Sequence, residues 1–194
     1  MQKILNLIKR IIPKKLFKLG QPVYHYFLSK LSTLIYGYPS NKMIVVGVTG
    51  TTGKSSSGYF MAQILEKAGF KVGMSTTTLF KVGSKEWLND KKMTMIGRFQ
   101  LQGLLKQMVK EKCDVAIVET TSEGIKQFRH LGISYDILVF TNLYPEHIES
   151  HGSFEKYKEA KGKLFKYLSK TKKKKVEKTI IANLDDKHSE YFLN

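Results

Sequence analysis

Short apolar runs alternate with segments of helical periodicity over most of the chain, beginning at Met43. The runs are five or six residues long and mostly rich in valine and isoleucine, which is typical of strands buried on both faces. We predict strands over residues 43–48, 71–75, 114–119, 136–140 and 179–183. Helical spacing predicts helices over residues 54–68, 99–112, 123–130 and 154–168, and residues 80–97 are predicted to be irregular.

This alternation predicts an α/β fold. Strands joined through helices make right-handed crossovers, which give a mostly parallel sheet with helices on both faces. In such sheets ligands bind beyond the carboxyl ends of the strands. We therefore assign residues 43–194 to one ligand-binding domain and look for its chemistry where the strands end.

The first 42 residues are predicted to form a separate helical segment and linker. A first helical pattern consists of Ile4, Leu5, Ile8, Ile11 and Ile12, and Pro13 interrupts it. A second consists of Val23, Phe27, Leu31, Leu34 and Ile35, which share one helical face. Residues 37–42 contain a glycine and a proline and predict a linker.

Charge is unevenly distributed along the 194 residues, whose formal net charge is +17. Residues 1–42 hold 8 basic and no acidic residues, and residues 156–178 hold 11 and 2, whereas residues 43–155 hold 13 and 11. A protein that coats nucleic acid would be basic throughout, so we expect no nucleic-acid partner. The lysines at 172–175 lie between a predicted helix and a predicted strand, and we interpret them as a solvated loop.

Two further features limit the class of protein. The single cysteine, Cys113, excludes an internal disulfide and a cysteine-based zinc site, so we expect a reducing, cytoplasmic setting. No apolar run approaches the roughly 18 residues that span a bilayer.

A phosphate-binding loop is predicted between the first strand and its helix. Residues 49–56 read Thr-Gly-Thr-Thr-Gly-Lys-Ser-Ser. Glycines let successive N–H groups point inward, the helix N-terminus attracts anions, Lys54 adds a full positive charge, and Ser55 suits a magnesium ion. The strict pattern has a glycine where this chain has Val48, and similar turns also occur in proteins that bind no ligand.

Other polar residues follow the later strands. Glu119 ends one strand, where it suits either a magnesium ligand or a helix cap. His147 and His151 follow the next strand, and single histidines there are more often surface residues than ligands. Lys161, on the following helix, would by itself be interpreted as solvated.

Together these motifs resemble those of the Mur ligase family. Residues 49–56 resemble its T-G-T-N-G-K-T-[ST] loop, residues 119–122 its E-x-S-S segment, and residues 141–147 its T-N-L-x-x-D-H segment. Residues 151–165 resemble H-G-x-x-x-x-Y-x-x-A-K-x-x-L-F, and residues 183–186 resemble N-x-D-D. Order and spacing agree over residues 43–185. Thr94 and residues 99–102 resemble the member that adds a third amino acid to UDP-N-acetylmuramoyl-dipeptide.

The resemblance implies an ATP-dependent amide ligase of peptidoglycan precursor synthesis, in which an amino acid's amine attacks an acyl phosphate made from ATP. The implied nucleotide-binding residues are Gly50, Thr51, Thr52, Gly53, Lys54, Ser55, Ser56 and Asn142. One Mg²⁺ is implied at Ser55 and Glu119, and a second is served by His147 and Lys161. The implied catalytic group consists of Lys54, Glu119, His147 and Lys161. The implied contacts to a UDP-muramoyl peptide are Thr94, Gln102 and Ser122. In the family the lysine matching Lys161 is carbamylated, which makes it an anionic oxygen ligand.

Some positions depart from the family pattern. Glu123 replaces a histidine, and Met95 and Ile96 replace T-P, which leaves the exact substrate open. The family places a UDP-sugar-binding domain before this region and another domain after it, so we expect these 194 residues alone to bind nucleotide weakly and to ligate nothing. Two alternatives stay open: a folylpolyglutamate synthetase-like ligase, and a membrane-associated nucleotide-binding module without ligase activity.

Residues 1–36 suit an anionic membrane surface, because apolar side chains can insert while lysines meet the headgroups. This predicts a cytoplasmic protein that is peripheral at the inner face of the plasma membrane. The same spacing equally suits helices that pack on the domain or on a partner.

Overall fold

The computed structural model describes residues 14–91, 93–146 and 148–193, with side chains from residue 20 onward. The strands are β1 Ile44–Thr49, β2 Val72–Ser75, β3 Leu79–Val82, β4 Lys85–Leu88, β5 Val115–Glu119, β6 Ile137–Phe140 and β7 Thr179–Ala182. The helices are α1 Lys14–Tyr36, α2 Lys54–Lys67, α3 Arg98–Lys110, α4 Ser122–Lys126, α5 Ile148–His151, α6 Phe154–Leu168 and α7 Ser189–Leu193, with a 3₁₀ turn at Pro39–Lys42. The predicted helix over residues 4–12 lies outside the described residues.

The sheet has the order β4-β3-β2-β5-β1-β6-β7. Strands β2, β5, β1, β6 and β7 are parallel, which confirms the predicted α/β fold. Strands β3 and β4 add an antiparallel edge, so the prediction of an irregular segment over residues 80–97 was wrong for its first half. Phe80 and Trp87 pair across this edge with ring centroids 5.9 Å apart, which holds the hairpin together.

Helices cover both faces of the sheet because the central strands are apolar on both sides. Val46, Val48 and Ile117 face one way and pack with Ala62 of α2. On the other face, Val45 and Leu138 belong to a larger core with the buried sides of α3 and α6. The carboxyl ends of β1, β5 and β6 are therefore held rigidly side by side.

Helix α1 packs on α3 through its small polar side, and its apolar face points away from the domain. Ser29, Ser32 and Thr33 are almost fully buried, and Ser29 Oγ donates to the Phe128 carbonyl over 2.7 Å. The predicted apolar face is exposed, at 66% for Phe27 and 63% for Leu34. This exposure does not fit the alternative in which the apolar face packs on the domain, and packing on a partner stays a prediction. None of the helices that the structure describes is both long and apolar enough to cross a bilayer.

The lysine-rich loop is only partly solvated. Lys172, Lys173 and Lys175 are exposed, but the Lys174 ammonium turns inward. It pairs with Asp136, whose carboxylate is fully buried and also lies 3.0 Å from Lys178 Nζ. Lys174 also donates to the carbonyl of Met43 over 2.7 Å. The prediction of a solvated loop fails at this residue because a buried carboxylate requires a cation.

Candidate functional site

The loop after β1 is built on two glycines that side chains would disturb. Gly50 has φ 153°, and a Cβ there would lie 1.9 Å from Thr141 Oγ1. Gly53 has φ 75° and is the N-cap of α2. The loop therefore turns directly into the start of a helix, where backbone N–H groups are available to an anion.

Asn142, from the end of β6, holds the loop in place. Its Oδ1 accepts hydrogen bonds from the backbone N–H groups of Thr51 and Thr52 at 3.2 and 2.9 Å. Its Nδ2 donates to the Thr52 carbonyl over 3.3 Å. Tyr144 OH also donates to Thr52 Oγ1 over 2.8 Å. Asn142 thus contacts the predicted loop residues through the loop backbone.

Lys54, Ser55 and Glu119 meet at the carboxyl ends of β1 and β5. Ser55 Oγ donates to Glu119 Oε2 over 2.7 Å, and Lys54 Nζ lies 4.0 Å from Glu119 Oε1. Lys54 Nζ also donates to the Thr51 carbonyl over 2.6 Å. Burial lowers the pKa of Lys54, and the charges of Glu119 and Glu146 oppose that shift. The hydroxyl and carboxylate oxygens are donors that Mg²⁺ prefers.

Thr77, which the sequence interpretation did not single out, orients the Glu119 carboxylate. Its backbone N–H donates to Glu119 Oε2 over 2.8 Å, and its hydroxyl lies 3.1 Å from Glu119 Oε1. The same hydroxyl lies 2.9 Å from Thr94 Oγ1. A hydrogen-bonded chain therefore links the predicted substrate residue Thr94 to the predicted metal ligand.

Lys161 lies inside the protein rather than in solvent, with 1% of its surface exposed. Its Nζ donates to the Gly50 carbonyl over 2.7 Å and lies 4.7 Å from the centroid of the Tyr157 ring. Burial and the nearby charge of Lys54 lower its pKa to about 7, against the opposing effect of Glu146 and Glu119. Lys161 lies on the apolar side of α6, four residues after Tyr157 and three before Leu164, so its helical position was an available signal for burial.

A cleft of about 290 Å³ opens beside these residues, between the segment before α3 and the start of α4. Thr94 and Ser122 line it, together with Arg129. Ser122 Oγ lies 3.0 Å from His151 Nε2, which is 3.5 Å from Glu123 Oε1. Arg129 is held by the Met95 carbonyl and by Gln127 Oε1, the latter at 2.7 Å. The sequence interpretation missed Arg129, which follows the predicted E-x-S-S segment.

One predicted site residue, Gln102, does not join this group. Gln102 lies on the buried side of α3, where its Nε2 donates to the Gly132 carbonyl over 3.4 Å, and it does not line the cleft. Ser56 is exposed in the first turn of α2. His147 lies outside the described residues.

The fold and the loop define an α/β domain of the phosphate-binding-loop class. The family model of the Mur ligase middle domain matches residues 48–194. A UDP-N-acetylmuramyl-tripeptide synthetase from Roseiflexus sp. (strain RS-1) is 35% identical over 173 residues, covering 86% of this chain and 34% of that relative. The chain belongs to the Mur ligase family, through its middle domain.

Solved structures agree with this assignment. A structure of a UDP-N-acetylmuramoyl-L-alanyl-D-glutamate–2,6-diaminopimelate ligase superposes with a TM-score of 0.65 at 29% identity, covering 78% of this chain and 28% of that chain. A structure of E. coli FolC with DHPP and ADP gives a TM-score of 0.54 at 21% identity over 69% of this chain and 38% of that one, a likeness of fold alone. The chain spans about a third of the length of the curated relatives it matches.

Proposed function

We propose that this chain is the ATP-binding domain of an ATP-dependent acid–amino-acid ligase. The observation that carries the proposal is the meeting of Lys54, Ser55, Glu119 and the buried Lys161 around one glycine-containing loop. Phosphoryl transfer needs positioned cations and backbone donors more than a covalent nucleophile, and this site supplies both.

The loop and its neighbours suit a magnesium nucleotide. Lys54 and the N–H groups of residues 53–56 hold the phosphates. Asn142 keeps the loop in shape by accepting from the N–H groups of Thr51 and Thr52. Ser55 and Glu119 present oxygen donors to one Mg²⁺, and a second ion is proposed near Lys161 and His147. When bound, ATP would supply the phosphoryl group, and Mg²⁺ would neutralise the negative charge on its oxygens.

We further propose that Lys161 is carbamylated. A buried amine whose pKa is about 7 is largely neutral at slightly alkaline pH. Its nitrogen lone pair then attacks CO₂, forms an N–C bond and releases one proton. The product carries an anionic carboxylate in place of a cation, which suits a residue next to a metal site.

The reaction proposed follows from this constellation. The γ-phosphoryl group of ATP passes to a carboxylate of the acceptor, giving an acyl phosphate and ADP. The neutral amine of the incoming amino acid attacks the acyl carbon and the C–N bond forms. The bond from the acyl carbon to the phosphate oxygen breaks, and inorganic phosphate and one proton of the amine are released. A UDP-muramoyl peptide in the cleft, contacted by Thr94, Ser122 and Arg129, is the proposed acceptor, which gives the chain a role in cytoplasmic peptidoglycan precursor synthesis.

The two rival functions make different demands on the same site. A folylpolyglutamate synthetase-like ligase would join glutamate to a folate by the same acyl-phosphate chemistry. A non-catalytic module would bind nucleotide without an acceptor. The cleft beside Glu119 is lined by Arg129 and by the hydroxyls of Thr94 and Ser122, together with Glu123 and apolar groups. The arginine favours an acceptor that carries a carboxylate, and therefore a ligase over a module without an acceptor.

A second proposal concerns location. The outward apolar face of α1, with Phe27 and Leu34 exposed, supports attachment to an anionic membrane surface through residues 1–36. Charge agrees with this, because residues 1–42 carry 8 basic and no acidic residues.

A crystal structure with a non-hydrolysable ATP analogue and Mg²⁺ tests the site. Metal on Ser55 and Glu119, with phosphates on the loop, supports the proposal, and nucleotide bound elsewhere overturns it. Binding of UDP-N-acetylmuramoyl-dipeptide but not dihydropteroate to the nucleotide-loaded chain supports the proposed acceptor, and the reverse preference favours the folate rival.

NMR after incubation with ¹³C-bicarbonate tests the carbamylation of Lys161. A carbamate signal that is present in the unaltered chain and absent from Lys161→Met supports carbamylation, and no signal in the unaltered chain refutes it.

A further inference from the structure

A groove of about 610 Å³ lies between α1 and α6, away from the phosphate loop. Its volume falls within the roughly 300–1,000 Å³ of ordinary ligand sites. The floor is apolar and aromatic, formed by Pro22 and Tyr26 of α1, by Phe128 and Leu131, and by the Tyr167 ring of α6. His130 also lines the groove, and its buried Nδ1 has no hydrogen-bond partner among the described residues.

The rim of the groove is basic. Lys163, Lys166 and Lys170 are spaced by three and four residues, so they lie on one side of α6 and its extension. All three are exposed, and among the residues that the structure describes they make no ion pair or side-chain hydrogen bond. Lys126 is a fourth lysine at the rim, held by the Ser150 carbonyl at 2.6 Å. No described lining residue is acidic, so the groove favours an anion.

The groove adjoins the outward apolar face of α1. Tyr26 lines the groove, while its neighbours Val23 and Phe27 are 58% and 66% exposed on the outer face of the helix. Lys30 lies between the two surfaces, with its Nζ 5.7 Å from the Tyr26 ring centroid. A basic rim, an apolar floor and an adjacent apolar helix face together match a molecule with a phosphate at one end and hydrocarbon at the other.

We propose that this lysine-rimmed groove binds the headgroup of an anionic phospholipid while the outer face of α1 lies in the bilayer interface. The lysines hold the phosphate, and the glycerol end of the acyl chains lies over Tyr26 and Phe128. A free phosphate or a nucleic-acid backbone would leave the apolar floor unused. The inference rests on the proposed membrane association, which it makes specific by assigning a headgroup site.

Vesicle co-sedimentation separates the two proposals. The groove variant is Lys163→Gln/Lys166→Gln/Lys170→Gln, and the matched control is Lys67→Gln/Lys85→Gln/Lys110→Gln, which removes the same charge from exposed lysines outside the groove. On vesicles of phosphatidylcholine with phosphatidylglycerol, we expect the groove variant to bind at least about tenfold more weakly and the control to stay within about threefold of the unaltered chain. Equal losses in both variants would overturn the headgroup site but leave membrane association standing.

Two further arms complete the test. If the unaltered chain binds these vesicles no better than vesicles of pure phosphatidylcholine, the proposed membrane association is wrong. It is also wrong if Phe27→Ser/Leu34→Ser binds the vesicles as well as the unaltered chain does.

Below its critical micelle concentration, dihexanoyl phosphatidylglycerol should shift the NMR signals of Phe128 and Tyr167, whereas inorganic phosphate and a short oligonucleotide should not. Matching shifts with either of those two probes would contradict a phospholipid site.

Discussion

The side-chain nitrogen of Lys161 donates a hydrogen bond to the carbonyl of Gly50 over 2.7 Å, across 111 residues of sequence. This contact joins α6 to the phosphate loop. It places a buried amine against the loop that is proposed to hold ATP. Lysine side chains on helices are ordinarily exposed to solvent. The geometry of the loop and the position of this lysine therefore depend on each other.

Gly50→Ala should disrupt this arrangement. A methyl group at this position would lie 1.9 Å from Thr141 Oγ1 and 3.1 Å from the Asn142 nitrogen. Since both neighbours hold the loop, we expect the free energy of unfolding to fall by about 1–3 kcal/mol in urea titrations. Gly20→Ala is the control, because nothing lies within 4 Å of its added Cβ. Similar stability of the two variants would show that the loop accommodates a side chain.

Asp136→Asn should strongly destabilise the fold. The buried carboxylate accepts from the Val45 N–H over 2.8 Å and pairs with Lys174 and Lys178. Removing its charge leaves two lysines without their counter-ion, at an expected cost of about 3 kcal/mol. Lys173→Met, in the same loop but exposed, should change the stability by less than about 0.5 kcal/mol. Equal unfolding midpoints for these variants would refute the structural role of the carboxylate.

Stability should fall on acidification partly because of His130. Burial, and then the charge of Lys163, lower its folded-state pKa to about 4 from the ordinary 6.5. Between these values the unfolded chain binds more protons, so this contribution is complete above pH 6.5 and is lost as pH falls towards 4. Between pH 7 and pH 4 the free energy of unfolding should fall by up to about 3 kcal/mol more in the unaltered chain than in His130→Phe, which has no imidazole to protonate. Parallel profiles of the free energy of unfolding against pH for His130→Phe and the unaltered chain would contradict this.

Thr77→Val should weaken magnesium binding without unfolding the domain. The hydroxyl contacts Glu119 at 3.1 Å, while the backbone N–H that also holds this carboxylate remains. Loss of one orienting contact to a metal ligand typically lowers affinity about tenfold or more. Titration of Mg²⁺ into the nucleotide-loaded chain measures the effect, and Thr78→Val is the neighbouring control. An unchanged magnesium affinity in Thr77→Val would mean that this contact does not orient Glu119.

The sequence predicts the parallel strands well because short, continuous apolar runs are typical of strands that are buried on both faces of a sheet. It does not predict β3 and β4, which are four residues each and carry Lys81, Lys85 and Glu86 among their apolar positions. The turn residues Gly83 and Ser84 between them were the available signal for a hairpin.

The helical periodicity of the sequence also does not show which side of a helix faces the domain. The spacing of Val23, Phe27 and Leu31 defines a helical face, but only the structure shows that Ser29 and Thr33 of α1 face the domain. Similarly, the motif order brings Ser55 and Glu119 to one edge of the sheet. The contact of Lys161 with Gly50 and that of Thr77 with Glu119 depend on packing between distant segments.

Binding of magnesium ATP tests the central claim most directly. Calorimetric titration should show binding that requires Mg²⁺ and weakens about ten- to a hundredfold in Lys54→Met, because hydrogen bonds to charged groups contribute about 1.5–3 kcal/mol. Lys67→Met, at the other end of α2 and exposed, should bind like the unaltered chain. Equal affinity in Lys54→Met and the unaltered chain, or binding that is indifferent to Mg²⁺, would contradict the account.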